Sequence, residues 1–218
     1  MLVTMVFQSL YFFVDLYFVG RLGKEAIVGV GIAGNLTFIV LAVTQMLAVG
    51  TTTLISHASG RKDLPRAQMV LNQSVMLAGI IGVVFLAIIT ALRDAYVSAL
   101  SPDPASAQAA NDYLYWYAPA MALQFPMVVM GAALRGTGNF KPGMIAQTAT
   151  VILNVVLAPT LMFGWLSGRP MGVAGAGLAS LIAIVIGTVW LGLFFAPSTA
   201  KLRFHAHFAP VCLRGSRG

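Results

Sequence analysis

Charge is scarce in this chain. Only 9% of its 218 residues are Asp, Glu, Lys or Arg, and just six are acidic, whereas a soluble domain carries about a quarter charged residues. That scarcity excludes an ordinary water-soluble globule. Cysteine is nearly absent as well: the single Cys212 excludes an intrachain disulfide and a cysteine cluster for metal. Catalytic signatures are missing too. There is no HExxH, no GxSxG in a strand–turn–helix setting, no P-loop and no CxxC, so an enzyme finds no support, and no cofactor is implied. His205 and His207 form an H-x-H pair with no third ligand nearby, and His57 precedes a basic loop. All three read as solvated or interfacial residues. The amino terminus shows neither a basic lead-in nor a small-residue cleavage site, so its apolar run reads as a retained span.

What the chain has in abundance is apolar sequence, 59% of all residues. Five intervals between charged residues, 26–60, 67–92, 113–134, 142–168 and 170–200, are each at least 22 residues long, and a bilayer-spanning helix needs about 20. A sixth, 2–19, is apolar except for Thr4, Gln8, Ser9 and Asp15. These runs are too long and too little alternating for barrel strands, and only helices or closed barrels satisfy their backbone in lipid. The expected fold is all-α, a polytopic transmembrane six-helix bundle over residues 1–197. Its helices are expected at about 2–19, 27–56, 70–92, 113–134, 144–166 and 172–196, with 93–112 as the longest connection. A basic cytoplasmic tail over 198–218 follows.

The formal charge of +7 is distributed as in a membrane protein, not as on a nucleic-acid-binding face. The second and fourth connections and the tail hold nine basic residues: Arg61, Lys62, Arg66, Arg135, Lys141, Lys201, Arg203, Arg214 and Arg217. The odd-numbered connections hold four: Arg21, Lys24, Arg93 and Arg169. The positive-inside rule then puts both termini in the cytoplasm. Small residues at Gly29/Ala33, around Gly131 and at Gly175/Ala179 have the spacing of close helix contacts. Pro119 and Pro126 free carbonyls inside the fourth span. The 11 methionines read mainly as core, a few being suited to an adaptable apolar pocket.

Polar residues within the spans are the functional candidates. In FFVDLYFVG, residues 12–20, a carboxylate interrupts an apolar run. Gln8, Tyr11 and Asp15 fall at i, i+3 and i+7, on one helix face that is unfavourable toward lipid and points to the bundle or a water-filled cavity. Asp15 also lies only five residues, roughly 7 Å, from the end of its helix, so headgroup water is the alternative setting. The fifth span carries Gln147, Thr150 and Asn154 at the same spacing, and the fourth carries Tyr113, Tyr117 and Gln124. Singly, such residues serve as interhelical hydrogen-bonding glue. Together, oxygen ligands beside one carboxylate suit a proton or a hard cation such as Na⁺.

The motifs are similar to those of a known family. VDLYFVGRLGKEAIVGVGIAGNL and GTTTLISHASGRKD resemble the first two helices of the MATE (multidrug and toxic compound extrusion) transporters. ALRGTGNFKPGM resembles the turn after their fourth helix, ILNVVLAP their fifth and GVAGAGLAS their sixth. The resemblance covers the chain to about residue 197. It implies one lobe, the N-terminal one, of a twelve-helix, two-lobe antiporter in the inner (plasma) membrane, exporting cationic or aromatic compounds against H⁺ or Na⁺. It implies a cation site of Asp15, Asn154, Ser180 and Tyr113. Gln8 and Tyr11, with Tyr117 and Gln147, are assigned to the substrate pocket.

Three departures stand out. Many members carry an aspartate where this chain has Ala158, four residues after Asn154, which weakens tight Na⁺ binding and keeps proton coupling in play. The first helix begins abruptly at Met1, and KLRFHAHFAPVCLRGSRG stands where the family runs on into a second lobe. A truncated or misread transporter is therefore the first expectation. A half-size homodimer and a non-transporting remnant are the alternatives.

Overall fold

The computed structural model describes residues 17–164 and 170–195, and these are helical with short turns and no strand. The helices are α1 (residues 17–20), α2 (Lys24–Gly60), α3 (Leu64–Leu100), α4 (Pro104–Gly136), α5 (Phe140–Met162) and α6 (Val173–Phe194). α2 to α6 are each long and apolar enough to cross a membrane. Gln8, Tyr11 and Asp15 lie outside the described residues, as does the tail from residue 196.

Charged residues proved poor markers of helix ends. The connection expected over 93–112 shrinks to residues 101–103, because α3 runs on to Leu100 and α4 starts at Pro104. The stop is local chemistry: Asp103 caps α4, accepting from Ser106 N at 3.1 Å and Ser106 Oγ at 2.8 Å, with Pro104 in the first turn. Both features start helices. Arg93 does not break α3; its guanidinium lies 5.7 Å from the Tyr115 ring centre, across the hairpin. Likewise, Asp63 caps α3 by accepting from Arg66 N at 3.2 Å, leaving a three-residue turn after α2. At about 1.5 Å per residue these helices exceed the roughly 30 Å of a hydrocarbon core, so their charged ends project into water. α5 is as long as expected but lies four residues earlier: it starts at Phe140 and ends at Met162, with Phe163 as its cap and Gly164 at φ 73°.

α4 is the centre of the bundle. It packs against α2, α3, α5 and α6 and carries the most buried residues, among them Leu114, Met121, Phe125 and Val129. Phe38, Met46, Met76 and Val83, on α2 and α3, are largely exposed, which suits a lipid-facing surface. Small residues let backbones approach α4 closely. A Cβ on Gly29 of α2 would stand 2.8 Å from Ala110 N. One on Gly82 of α3 would stand 2.5 Å from Ala122 O. The second contact has a particular cause: residue 126 is proline, so the Ala122 carbonyl lacks its regular donor four residues on, and Gly82 packs onto that oxygen. A Cβ on Gly177 of α6 would stand 2.8 Å from Tyr113 O.

A buried polar pair between two helices

α5 and α6 form an antiparallel pair joined by backbone bonds from Met171 N to Leu161 O (3.3 Å) and Gly172 N to Met162 O (3.2 Å). A Cβ on Gly175 would lie 2.8–2.9 Å from the Leu161 and Met162 backbone. This tight register brings Asn154 and Ser180 together across the seam. Asn154 Nδ2 donates to Ser180 Oγ at 2.8 Å, and the serine hydroxyl donates onward to Ala176 O at 3.2 Å. Both side chains are 6% exposed.

That chain of bonds leaves one group unmatched. Asn154 Oδ1 is buried and accepts no hydrogen bond among the described residues. An orphaned buried acceptor costs about 1–3 kcal/mol, so a polar atom held in this state invites a ligand, such as a cation or an O–H. The groups of this chain, the Asn154 amide, the Ser180 hydroxyl and the Ala176 carbonyl, are all uncharged. Among the described residues no group of three or more His, Cys, Asp or Glu could hold a metal ion.

The remaining predicted site residues are placed differently. Tyr113 is buried, and its ring lies 4.8 Å from that of Tyr117, tilted by 37°. Tyr113 and Tyr117 pack beside Gly177, one turn along α6 from Ser180, so α6 links the aromatic pair to the polar pair. Gln147 is half-buried and seven residues from Asn154, about 10 Å along α5. It shares the helix face and joins no hydrogen bond of the Asn154–Ser180 pair. Thr150, between them, turns its hydroxyl back to Ala146 O at 2.8 Å. Ala158, where the expected second carboxylate is absent, is 3% exposed; an apolar methyl occupies that buried position.

Two contributors escaped the sequence reading. The Ala176 carbonyl enters through the serine bond, and no side-chain pattern announces a carbonyl. Phe18 and Phe163 meet edge-to-face with centroids 6.1 Å apart, fastening the described end of α1 to the cap of α5. Only the abundance of aromatics near residues 11–18 hinted at such a contact.

Comparison with known proteins is consistent across sequence and structure. The family model described as MatE matches residues 1–160. A FAD transporter of Shewanella oneidensis is 26% identical over 177 residues, covering 79% of this chain and 38% of its own length. A probable multidrug resistance protein NorM of Thermotoga maritima is 28% identical over 183 residues, covering 84% and 39%. The outward-facing structure of a multidrug resistance MATE family transporter of the MOP superfamily superposes with a TM-score of 0.83 at 25% identity, covering 91% of this chain and 43% of that one. The chain thus spans about two fifths of the length of the relatives it matches.

Proposed function

Because this chain belongs to the MatE family of transporters, we propose that it is the N-terminal lobe of a cation-coupled efflux antiporter for multiple toxic compounds. The observation that carries this reading is the orphaned Oδ1 of Asn154, whose Nδ2 is held by Ser180 Oγ in a buried seam. A neutral oxygen pair of this kind supports a carboxylate that exchanges a proton or Na⁺, and Asp15 is the carboxylate we assign. Tyr113 is the auxiliary ligand. Gln8, Tyr11, Tyr117 and Gln147 line the path of the exported cationic or aromatic compound, and alternating access requires an opposing six-helix lobe.

With Ala158 in place of a second carboxylate, the charge available for a bare Na⁺ is one unit, which favours H⁺ as the coupling ion. Hard cations are held by several oxygens, usually including carboxylates. The test is efflux of a fluorescent cationic dye from vesicles holding the two-lobe transporter. Efflux should be driven by an imposed pH difference and collapse when a proton ionophore is added. Dye movement that ignores both pH and Na⁺ gradients would overturn the coupling.

We also assign the α2–α3 and α4–α5 turns to the cytoplasmic side of the inner membrane, from the excess of Lys and Arg there. With Cys212 replaced by Ala, a cysteine at exposed Gly60, where a Cβ meets nothing within 4 Å, should react with a membrane-impermeant maleimide only in inverted vesicles, and one at Ser101 only in intact cells. The opposite pattern would invert the topology.

A further inference from the structure

The described charges divide unevenly between the two ends of the bundle. α2 and α4 lie side by side in the same direction: Thr52 Oγ1 donates to Ala132 O at 3.1 Å, and the Gly136 backbone meets Thr52 O and Ile55. The turns that follow these helices therefore form one surface. It carries Arg61, Lys62, Arg66, Arg135 and Lys141 against Asp63 alone. The opposite end carries Arg21, Lys24 and Arg93 against Glu25, Asp94, Asp103 and Asp112. Only the first end has a surplus of positive charge.

Within that end Arg135 is unlike the others. It is half-buried, and it makes no hydrogen bond or ion pair among the described residues. Its guanidinium reaches back over Gly131, where a Cβ would stand 3.9 Å from Nη1, and a Cβ on Gly143 of α5 would stand 3.5 Å from the same glycine. Arg135 thus marks the α4–α5 seam, with exposed Lys141 just past the turn. A partly desolvated cation without a counter-charge among the described residues is unfavourable, so the position suits an added anion. Directly along α5 from this turn, Phe140, Met144 and Ile145 are 46–56% exposed, an apolar strip placed to meet acyl chains. A soluble anion would use the basic groups and leave that strip bare; a lipid would use both.

We propose that the seam at Arg135 and Lys141 binds the phosphate headgroup of an anionic phospholipid, with its chains along Phe140, Met144 and Ile145. Arg61 and Arg66 strengthen the field around it. This goes beyond the transport reading and holds whichever compound is moved.

The experiment uses the full chain in nanodiscs of phosphatidylcholine with or without phosphatidylglycerol, followed by native mass spectrometry and thermal unfolding. The wild type should retain phosphatidylglycerol and be stabilised by it. Arg135→Gln should weaken retention roughly fivefold, the size expected for one basic residue at an anionic surface. Arg135→Lys should keep most of it, which controls for misfolding, and Arg93→Gln, at the opposite end, should change nothing. Equal retention by Arg135→Gln, or an equal loss with Arg93→Gln, would overturn the site. Inorganic phosphate that stabilises the protein in pure phosphatidylcholine as well as phosphatidylglycerol does would overturn its assignment to lipid.

Discussion

Asp15→Asn and Asn154→Leu are each expected to abolish gradient-driven efflux by the two-lobe transporter while the protein inserts and folds at wild-type levels. Stability and transport should respond to these changes separately. In the wild type, Asn154 holds a buried oxygen that accepts nothing among the described residues, at a cost of about 1–3 kcal/mol. Leucine has the same number of side-chain heavy atoms as asparagine, though its methyls are bulkier; it removes the orphan together with the amide and its bond to Ser180 Oγ. Ser180 keeps its bond to Ala176 O. Relief of the orphan offsets the lost bond to Ser180 and the added bulk, so stability should stay within about 1–2 kcal/mol of the wild type, yet efflux should fall by at least about tenfold, equivalent to roughly 1.4 kcal/mol. Asp15→Asn keeps shape and polarity but cannot exchange a proton. Thermal unfolding and dye efflux measured on the same preparations decide the matter. A leucine variant that loses stability and keeps efflux would show that Asn154 is only interhelical glue.

Gly82→Ala is expected to be severely destabilising, although it adds a single methyl group to a helix. That methyl would stand 2.5 Å from the Ala122 carbonyl oxygen, and neither backbone can yield without moving α3 off α4. Overpacking of this kind costs about 1–3 kcal/mol, and more where the obstacle is main chain. Gly79 supplies the control, since a Cβ there meets nothing within 4 Å. Gly79→Ala, three residues away on the same helix, should be neutral or slightly stabilising, because alanine is the better helix former by up to about 1 kcal/mol. Side-by-side melting curves in detergent would show the contrast; equal melting temperatures would mean that the α3–α4 contact is looser than the geometry indicates.

Helix ends were the least legible part of the fold. Charged residues mark where the chain meets water, and a helix does not stop there: Arg93 and Asp94 sit inside α3, while SPDP, with its capping aspartate and first-turn proline, ends the hairpin. The candidate site was legible residue by residue but not as a pair. Asn154 stood out as an amide in an apolar run, and Ser180 through the family resemblance. Gln147 lies on the same helical stripe as Asn154, yet no bond joins it to Ser180. Periodicity assigns residues to a face and says nothing of what will pack against it.

The sequence by itself determined the class, the order of the spans and the uneven distribution of basic residues, because these follow from local hydropathy measured against a bilayer of fixed thickness. Only the tertiary structure decided that Asn154 meets Ser180, 26 residues away, that Gly82 faces the carbonyl Pro126 leaves free, and that Arg135 lies half-buried at a seam with no ion pair among the described residues. Those depend on helix register and interhelical distance. Both are set by many small contacts acting together, and no short stretch of sequence contains them.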